Sequence, residues 1–396
     1  LAVNLIVDFA GGRFGDDTVA EALEAAAVRG YRLVLSAAAD DRLAAWIDWQ
    51  FAPSWWSAEA RASNVFCAYD ARGEICGFAA FDARGLRFPW LRGYAGSRDI
   101  GIFGPFGVAP AHRKTGVGAA LLDAALGTLN LKGYARALIP AVGYDRLITM
   151  YRARTGARIA ESFSYDSPRR YRTTILASGS GTNAEHVFKR VAANMLPLEV
   201  GAVVVNVPDA AVIGRAAAAG VPTIPVVWDR GRESRAAYDA RVVAAVAAAD
   251  PDLILLLGWM HVLPPVFIER FAEILNLHPA FLPFDPRSNE VVLPDGSVLP
   301  AFRGAHALRD ALAAGARWTG ASVHRVTTEV DRGAIVVRTP MRIDAAVDAA
   351  TIAGRLRPIE HAAVAAAVRR WTFERTFHET DPLLDAKSSH DRSDRP

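Results

Sequence analysis

Five short apolar runs recur between residues 173 and 277, most of them about one helix length apart. They are residues 173–177, 200–206, 223–227, 252–258 and 273–277. Each is short enough for a strand, and the Ala-rich segments between them have helical length. Strands alternating with helices in this way predict a parallel sheet with right-handed crossovers. Open sheets of this kind bind ligands at the carboxyl ends of their strands.

The last run ends in Asn276-Leu-His278-Pro279. Asn276 and His278 alternate with Leu275 and Leu277, so a strand points both polar groups to one face. Pro279 and Pro283 stop it there. Downstream, Glu329-Val-Asp331-Arg-Gly333 offers a carboxylate on a glycine-containing loop. An amide, an imidazole and a carboxylate suit transfer of a carbonyl-bearing group, which needs donors for an oxyanion and a route for protons.

These motifs, in this order, resemble the folate-dependent formyltransferases of the glycinamide ribonucleotide transformylase type, over residues 172–372. The resemblance implies 10-formyltetrahydrofolate as donor and a small-molecule amine as acceptor. It implies that Asn276 and His278 donate to the oxyanion, and that Asp331 orients or charges His278 and shuttles protons. Met260, His261 and Gly333 would line the folate pocket, with His261 where the family usually carries arginine. Ser180, Gly181, Thr182 and Asn183 would hold a substrate phosphate at a helix start. Arg235 would also meet that phosphate, and Glu360 would touch the glycinamide end. In the family, Asn-x-His-Pro is followed within a few residues by Pro-x-Phe/Tyr-x-Gly-x-His. Here residues 285–300 intervene before Phe302-Arg-Gly304-Ala-His306. They predict a hairpin around Pro294-Asp-Gly296 that reshapes the amine pocket.

The first half reads differently. A hairpin spans residues 65–69 and 75–81, a strand covers 102–108, and a helix follows at 119–129. Between strand and helix stands Arg113-Lys114-Thr115-Gly116-Val117-Gly118, whose small residues let backbone N–H groups face an anion. This arrangement resembles the GNAT superfamily of N-acyltransferases, over residues 31–166. The resemblance implies acetyl-CoA or another acyl-CoA, with its pyrophosphate on residues 113–118 and its pantetheine arm along Phe106 and Val108. Tyr151 would protonate the leaving thiolate. No residue is placed as the base, and residues 1–30 form an extension without assignment.

The 396-residue length predicts two domains. They are expected at 1–166 and 167–375, before an unstructured tail at 376–396. The fold class is α/β: a GNAT-like mixed sheet with helices, then a Rossmann-like parallel sheet. A net charge of +3 gives no case for nucleic acid. No apolar window is long enough for a membrane helix, and no signal peptide opens the chain, so a cytoplasmic protein is expected. Cys67 and Cys76 are too few for a disulfide framework and read as small buried thiols. The spacing of His278, His306, His324 and Asp331 matches no metal motif, so no metal is expected.

Together these readings predict an N-formyltransferase fused to an acyl-CoA-dependent acetyltransferase-like domain. Its acceptor would be glycinamide ribonucleotide-like or a specialised metabolite. A siderophore formyltransferase acting on N-hydroxyornithine is one alternative. A non-catalytic acyl-CoA sensor or scaffold in one domain is another, and a homodimer stays open.

Overall fold

The computed structural model describes residues 1–83, 91, 94, 98–164, 169–343 and 348–378. The chain divides into two compact units. One comprises Leu1–Phe51, Trp56–Asp166 and Phe373–Pro396, the other Ala52–Trp55 and Ser167–Thr372. The expected boundary at 166/167 lies outside the described residues, as does the expected tail from 379 onward. Residues 376–378 of that tail belong to the last helix.

The first unit carries β1 (Ala2–Asp8), α1 (Thr18–Val28), β2 (Arg32–Ser36), α2 (Asp41–Gln50), α3 (Trp56–Arg61) and β3 (Asn64–Tyr69). Then come β4 (Ile75–Phe81), β5 (Ile100–Val108), α4 (Val117–Leu131), β6 (Arg136–Val142), α5 (Asp145–Thr155) and β7 (Arg158–Phe163). Its sheet has the order β2-β3-β4-β5-β6-β1-β7. Alternation along β3 and β4 sends Phe66, Ala68, Cys76 and Phe81 into one core, and Val65, Cys67, Ile75 and Phe78 into another. Leu121 and Leu126 of α4 complete the first core, while Leu43, Trp46 and Ile47 of α2 complete the second. Both cysteines are buried and unpaired by a disulfide. Burial pushes each thiol up to about 12, so neither forms a thiolate near neutral pH.

The unassigned first thirty residues supply β1, an internal strand between β6 and β7, and α1, which packs along α4. β5 and β6 run parallel for only three pairs, Ile100 to Ile102 against Arg136 to Leu138. Beyond Ile102, β5 continues along β4 alone and β6 along β1, so the sheet forks.

The second unit carries β8 (Tyr171–Ala177), α6 (Thr182–Ala192), β9 (Leu198–Val205), α7 (Val212–Ala218), β10 (Thr223–Pro225) and α8 (Arg235–Ala248). β11 (Leu253–Leu256), α9 (Pro265–Arg270), β12 (Ile274–His278), β13 (Glu290–Val292) and β14 (Val298–Pro300) follow. α10 (Ala307–Ala313), β15 (Trp318–Arg325), β16 (Ile335–Arg342) and α11 (Ala349–His378) complete it. The sheet order is β10-β9-β8-β11-β12-β15-β16. The first five strands are parallel, as the apolar runs predict. β15 and β16 add antiparallel edges, so the sheet is mixed rather than wholly parallel. Residues 326–334 are too few for a helical crossover, and β16 therefore returns as a hairpin partner of β15. Strand alternation again builds two cores. Leu255, Leu257, Leu275 and Leu277 face α11, and Ile254, Leu256 and Ile274 face α8 and α9.

Among the described residues, no helix is long and apolar enough to cross a membrane. Glycine is required at 107, because a Cβ there would lie 2.4 Å from the Phe51 ring. Gly107→Ala is expected to destabilise the first unit by about 1–3 kcal/mol through overpacking, read as a lower urea midpoint.

Candidate functional site

In the second unit, strand order reverses direction between β8 and β11, the place where an open sheet leaves a crevice at its carboxyl ends. The loop after β8 and the turn after β11 flank it. Ser178 N donates to Gly258 O at 3.0 Å, and Met260 N donates to Ser178 Oγ at 3.0 Å. The β12 end stands next in the sheet and brings Asn276 and His278.

Antiparallel pairing sets His324 of β15 opposite Asn276. Asp331 enters from the β15–β16 loop with φ of 53°, a left-handed conformation that Asp tolerates better than most residues. The four side chains converge. Asn276 Nδ2 lies 3.1 Å from His324 Nε2 and donates to Asp331 Oδ1 at 3.3 Å. His278 Nδ1 lies 3.3 Å from Asp331 Oδ2, and His324 Nε2 lies 3.4 Å from Oδ1. Both histidines are buried, at 3% and 2% exposure.

Protons can be placed from the acceptors. His278 Nε2 is 2.8 Å from the Phe302 carbonyl, which can only accept, so Nε2 carries hydrogen. His324 Nδ1 is 2.8 Å from the Arg325 carbonyl, which leaves its Nε2 to accept from Asn276. Both amide hydrogens of Asn276 thus go to His324 and Asp331. The sequence reading assigned Asn276 and His278 as oxyanion donors. In this arrangement the donors of both are engaged within the protein.

Burial lowers the pKa of His278, with Asp331 and the Phe302 carbonyl opposing the shift, so its neutral form dominates at pH 7. Asp331 is buried too, which by itself raises its pKa. The facing His324 and His278 side chains and the Gly304 N–H outweigh this and hold it at about 2. Gly304 N donates to Oδ2 at 2.7 Å. The carboxylate is therefore ionised beside an imidazole whose facing nitrogen is bare. A proton taken up at Nδ1 would be met by that charge.

Gly333 has a packing reason that the sequence reading did not see. A Cβ there would lie 1.6 Å from Arg325 O, so glycine lets the Asp331 loop close on β15. Residues 285–300 fold as the expected hairpin, β13 against β14. Val291 and Leu293 are buried, and Trp318 Nε1 donates to Asp295 Oδ2 at 2.8 Å. His306 is exposed. Among the described residues, no three or more His, Cys, Asp or Glu are arranged to hold a metal ion.

The loop of Ser180, Gly181, Thr182 and Asn183 opens α6. Gly181 caps it at φ of 70°, with no side-chain cap bond, so the first N–H groups of the helix are left for an anion. Asn183 Nδ2 donates to Glu360 Oε2 at 3.1 Å, which joins this loop to α11. Burial raises the pKa of Glu360, opposed by that bond. One turn along, His186 and His361 stack with ring centroids 4.5 Å apart. Arg235 is not tied to this loop. Its Nε donates to Asp239 Oδ1 at 2.8 Å and its Nη2 to Val262 O, at the β11 end. His261 lies there also, its Nδ1 2.9 Å from Tyr238 Oη. Burial, with Arg235 and Arg230 adding, lowers its pKa and keeps it neutral.

In the first unit, residues 113–118 open α4 in the same manner. Gly116 caps the helix at φ of 96° without a side-chain bond. Arg113 Nε donates to Val108 O at 3.2 Å, and Thr115 Oγ1 to His112 O at 2.8 Å. Lys114 is left-handed at φ of 66°. A Cβ at Gly118 would press on Val108 at 3.2 Å. Tyr151 packs edge-on against Phe103, the first residue of β5 past the fork, and Phe103 in turn meets Phe106. Burial raises the Tyr151 pKa, so the phenol stays protonated.

Residues 171–285 and 289–368 match the family model described as formyl transferase. The break at 286–288 falls inside the extra segment. Residues 19–156 match the acetyltransferase (GNAT) family model. The chain is 30% identical over 215 residues to the phosphoribosylglycinamide formyltransferase of Escherichia coli K12, covering 54% of this chain and 93% of that protein. It is 35% identical over 198 residues to the enzyme of the same name from Mycobacterium tuberculosis H37Rv, covering 50% and 83%. A crystal structure of phosphoribosylglycinamide formyltransferase from Bacillus halodurans aligns with a TM-score of 0.44 and 28% identity, covering 50% of this chain and 94% of that one.

Two outcomes follow. Asp331→Asn removes the charge that raises His278, so the acid limb of kcat/KM moves to lower pH while kcat falls about 10²–10⁴-fold; a pH–rate profile reads both. Burial and the neighbouring His361 lower the His186 pKa from its ordinary 6.5 to about 4. The unfolded chain then binds the proton first, so stability falls as pH drops from 6.5 towards 4. His186→Phe keeps a stacking ring and is expected to lose less melting temperature than wild type across that window.

Proposed function

Because the chain belongs to the formyl transferase family and carries a GNAT domain ahead of it, we propose that it transfers a formyl group from 10-formyltetrahydrofolate to an amine. The convergence of Asn276, His278, His324 and Asp331 at the β12 end carries this reading. The folate would supply the formyl group, already activated on nitrogen. Exposed Met260, Val262 and Val266 give an apolar surface at the β11 end that suits its aromatic rings. Neutral His278 accepts the proton that the amine loses and returns it to the folate nitrogen as the bond from that nitrogen to the formyl carbon breaks, and ionised Asp331 stabilises the imidazolium in between. Asn276 holds Asp331 and His324 in register, and turns an N–H to the transferring oxygen when substrate displaces one of those bonds.

The acceptor follows from the α6 loop. An uncapped helix start suits a phosphate, and Glu360 stands beside it to meet an amide or amine. The acceptor is accordingly phosphoribosylglycinamide or a phosphorylated amine close to it. The hairpin of residues 285–300 favours a second reading, an acceptor other than phosphoribosylglycinamide, since it abuts the same cluster.

In the first unit, an acyl-CoA would lie with its phosphates on residues 113–118 and its arm along the fork at Phe106 and Val108. The left-handed, uncapped start of α4 beside Arg113 and Lys114 fits such an anion. Tyr151, protonated at the fork, would give its proton to a thiolate.

The deciding assay follows tetrahydrofolate release with phosphoribosylglycinamide as acceptor, with His278→Ala as control. Turnover in wild type that falls by about 10²-fold or more in the variant is expected. Folate binding without turnover would sink the acceptor assignment and turn attention to the hairpin. Calorimetry with acetyl-CoA tests the first unit, and absence of binding would leave that unit a scaffold.

A further inference from the structure

The extra hairpin leads into Phe302–Gly304, and these residues straddle the candidate site. The Phe302 carbonyl takes the His278 Nε2 hydrogen, and the Gly304 N–H binds Asp331 Oδ2. The side chain between them is Arg303, half-buried at the rim of the cluster. Its Nε donates to Asp331 O at 3.1 Å and its Nη2 to Ser288 O at 2.8 Å. Both partners are neutral carbonyls. Among the described residues, no carboxylate lies within ion-pair distance of this guanidinium. Burial, with the repulsion of Arg332, lowers the Arg303 pKa, and the charge of Asp331 opposes that shift. Arg332 itself has Glu329 at 3.8 Å.

A half-buried cation beside another cation, with Asp331 beyond ion-pair distance, is an unfavourable arrangement in the free protein. Arg303 has five N–H donors and spends two. The remaining edge suits the paired oxygens of a carboxylate, which would also relieve the repulsion from Arg332. Arg303 thus brings a positive charge to the catalytic cluster, at the variable position of the Pro-x-Phe/Tyr-x-Gly pattern that the extra segment precedes.

We propose that Arg303 is the receptor for a carboxylate on a substrate bound at the His278–Asp331 centre, borne either by the amine acceptor or by the glutamyl end of the folate. The inference rests on the formyl-transfer reading and adds to it the anion that the site selects. An acceptor that supplies the carboxylate would be amino-acid-like, with an acid group a few bonds from its nucleophilic nitrogen.

The test uses the full chain and titration calorimetry. One pair of probes is 10-formyl-5,8-dideazafolate and its glutamate diester. The other pair is N-hydroxyornithine and its methyl ester, titrated with the dideazafolate present. Arg303→Gln keeps donors for the two carbonyls but removes the charge, and a melting curve confirms folding. Loss of about ten- to a hundredfold in affinity for the free acid of one pair, with its ester unaffected, is expected and names the source. Arg303→Lys should recover part of it. Equal affinities in wild type and Arg303→Gln for all four probes would overturn the proposal. So would a fall in turnover or a shifted pH–rate profile with every affinity intact, since that marks Arg303 as a brace for the Asp331 loop. Failure of wild type to bind any folate probe would instead bring down the formyl-transfer reading itself.

Discussion

The second unit turns on one buried carboxylate. Asp331 sits in a left-handed loop conformation, among two buried imidazoles, an amide and a backbone N–H. Those four partners come from three parts of the chain. β12 supplies Asn276 and His278, β15 supplies His324, and the segment after the hairpin supplies Gly304. An ionised carboxylate away from water is tolerable only when its lone pairs are met. The sheet edge, the loop closure at Gly333 and the hairpin all serve that requirement, and the neutral state of His278 depends on the balance they set.

The two units open a helix in the same physical way. α4 and α6 each begin at a left-handed glycine with no side-chain cap, and so leave helix-start N–H groups unspent. The difference lies in what surrounds them. The α6 loop is tied to α11 through Asn183 and Glu360, whereas residues 113–118 are braced by their own strand through Arg113. Beside the first loop stands a polar, partly buried acid. Beside the second the sheet opens into a fork lined by Phe103, Phe106 and Tyr151.

Much of this was legible before any coordinates. The apolar runs located β8, β9, β11 and β12, because a strand buried on both faces cannot avoid a continuous hydrophobic stretch. The hairpin at 290–300 was legible from Pro294-Asp-Gly296. Asn276, His278 and Asp331 were found as motif residues. The antiparallel pair β15–β16 was not read as such, since alternation marks a strand but not its direction. His324 was visible only as a histidine whose spacing fits no metal motif. Its place opposite Asn276 depends on register, which residues near in sequence do not encode. Arg235 was assigned to the substrate phosphate, and the structure shows its bonds going to Asp239 and Val262.

The sequence by itself determined the local terms: which segments are strands, where helices start on glycine, and which residue types can move a proton or meet a phosphate. These follow from side-chain periodicity and backbone sterics, which act over a few residues. Tertiary structure alone decided which donors are already spent, as with both hydrogens of Asn276 and the Nε2 hydrogen of His278. It also decided that Asp331 stays charged, that His278 stays neutral and that, among the described residues, no carboxylate comes within ion-pair distance of Arg303. Those are properties of distance and burial among groups tens of residues apart, and only the closed fold sets them.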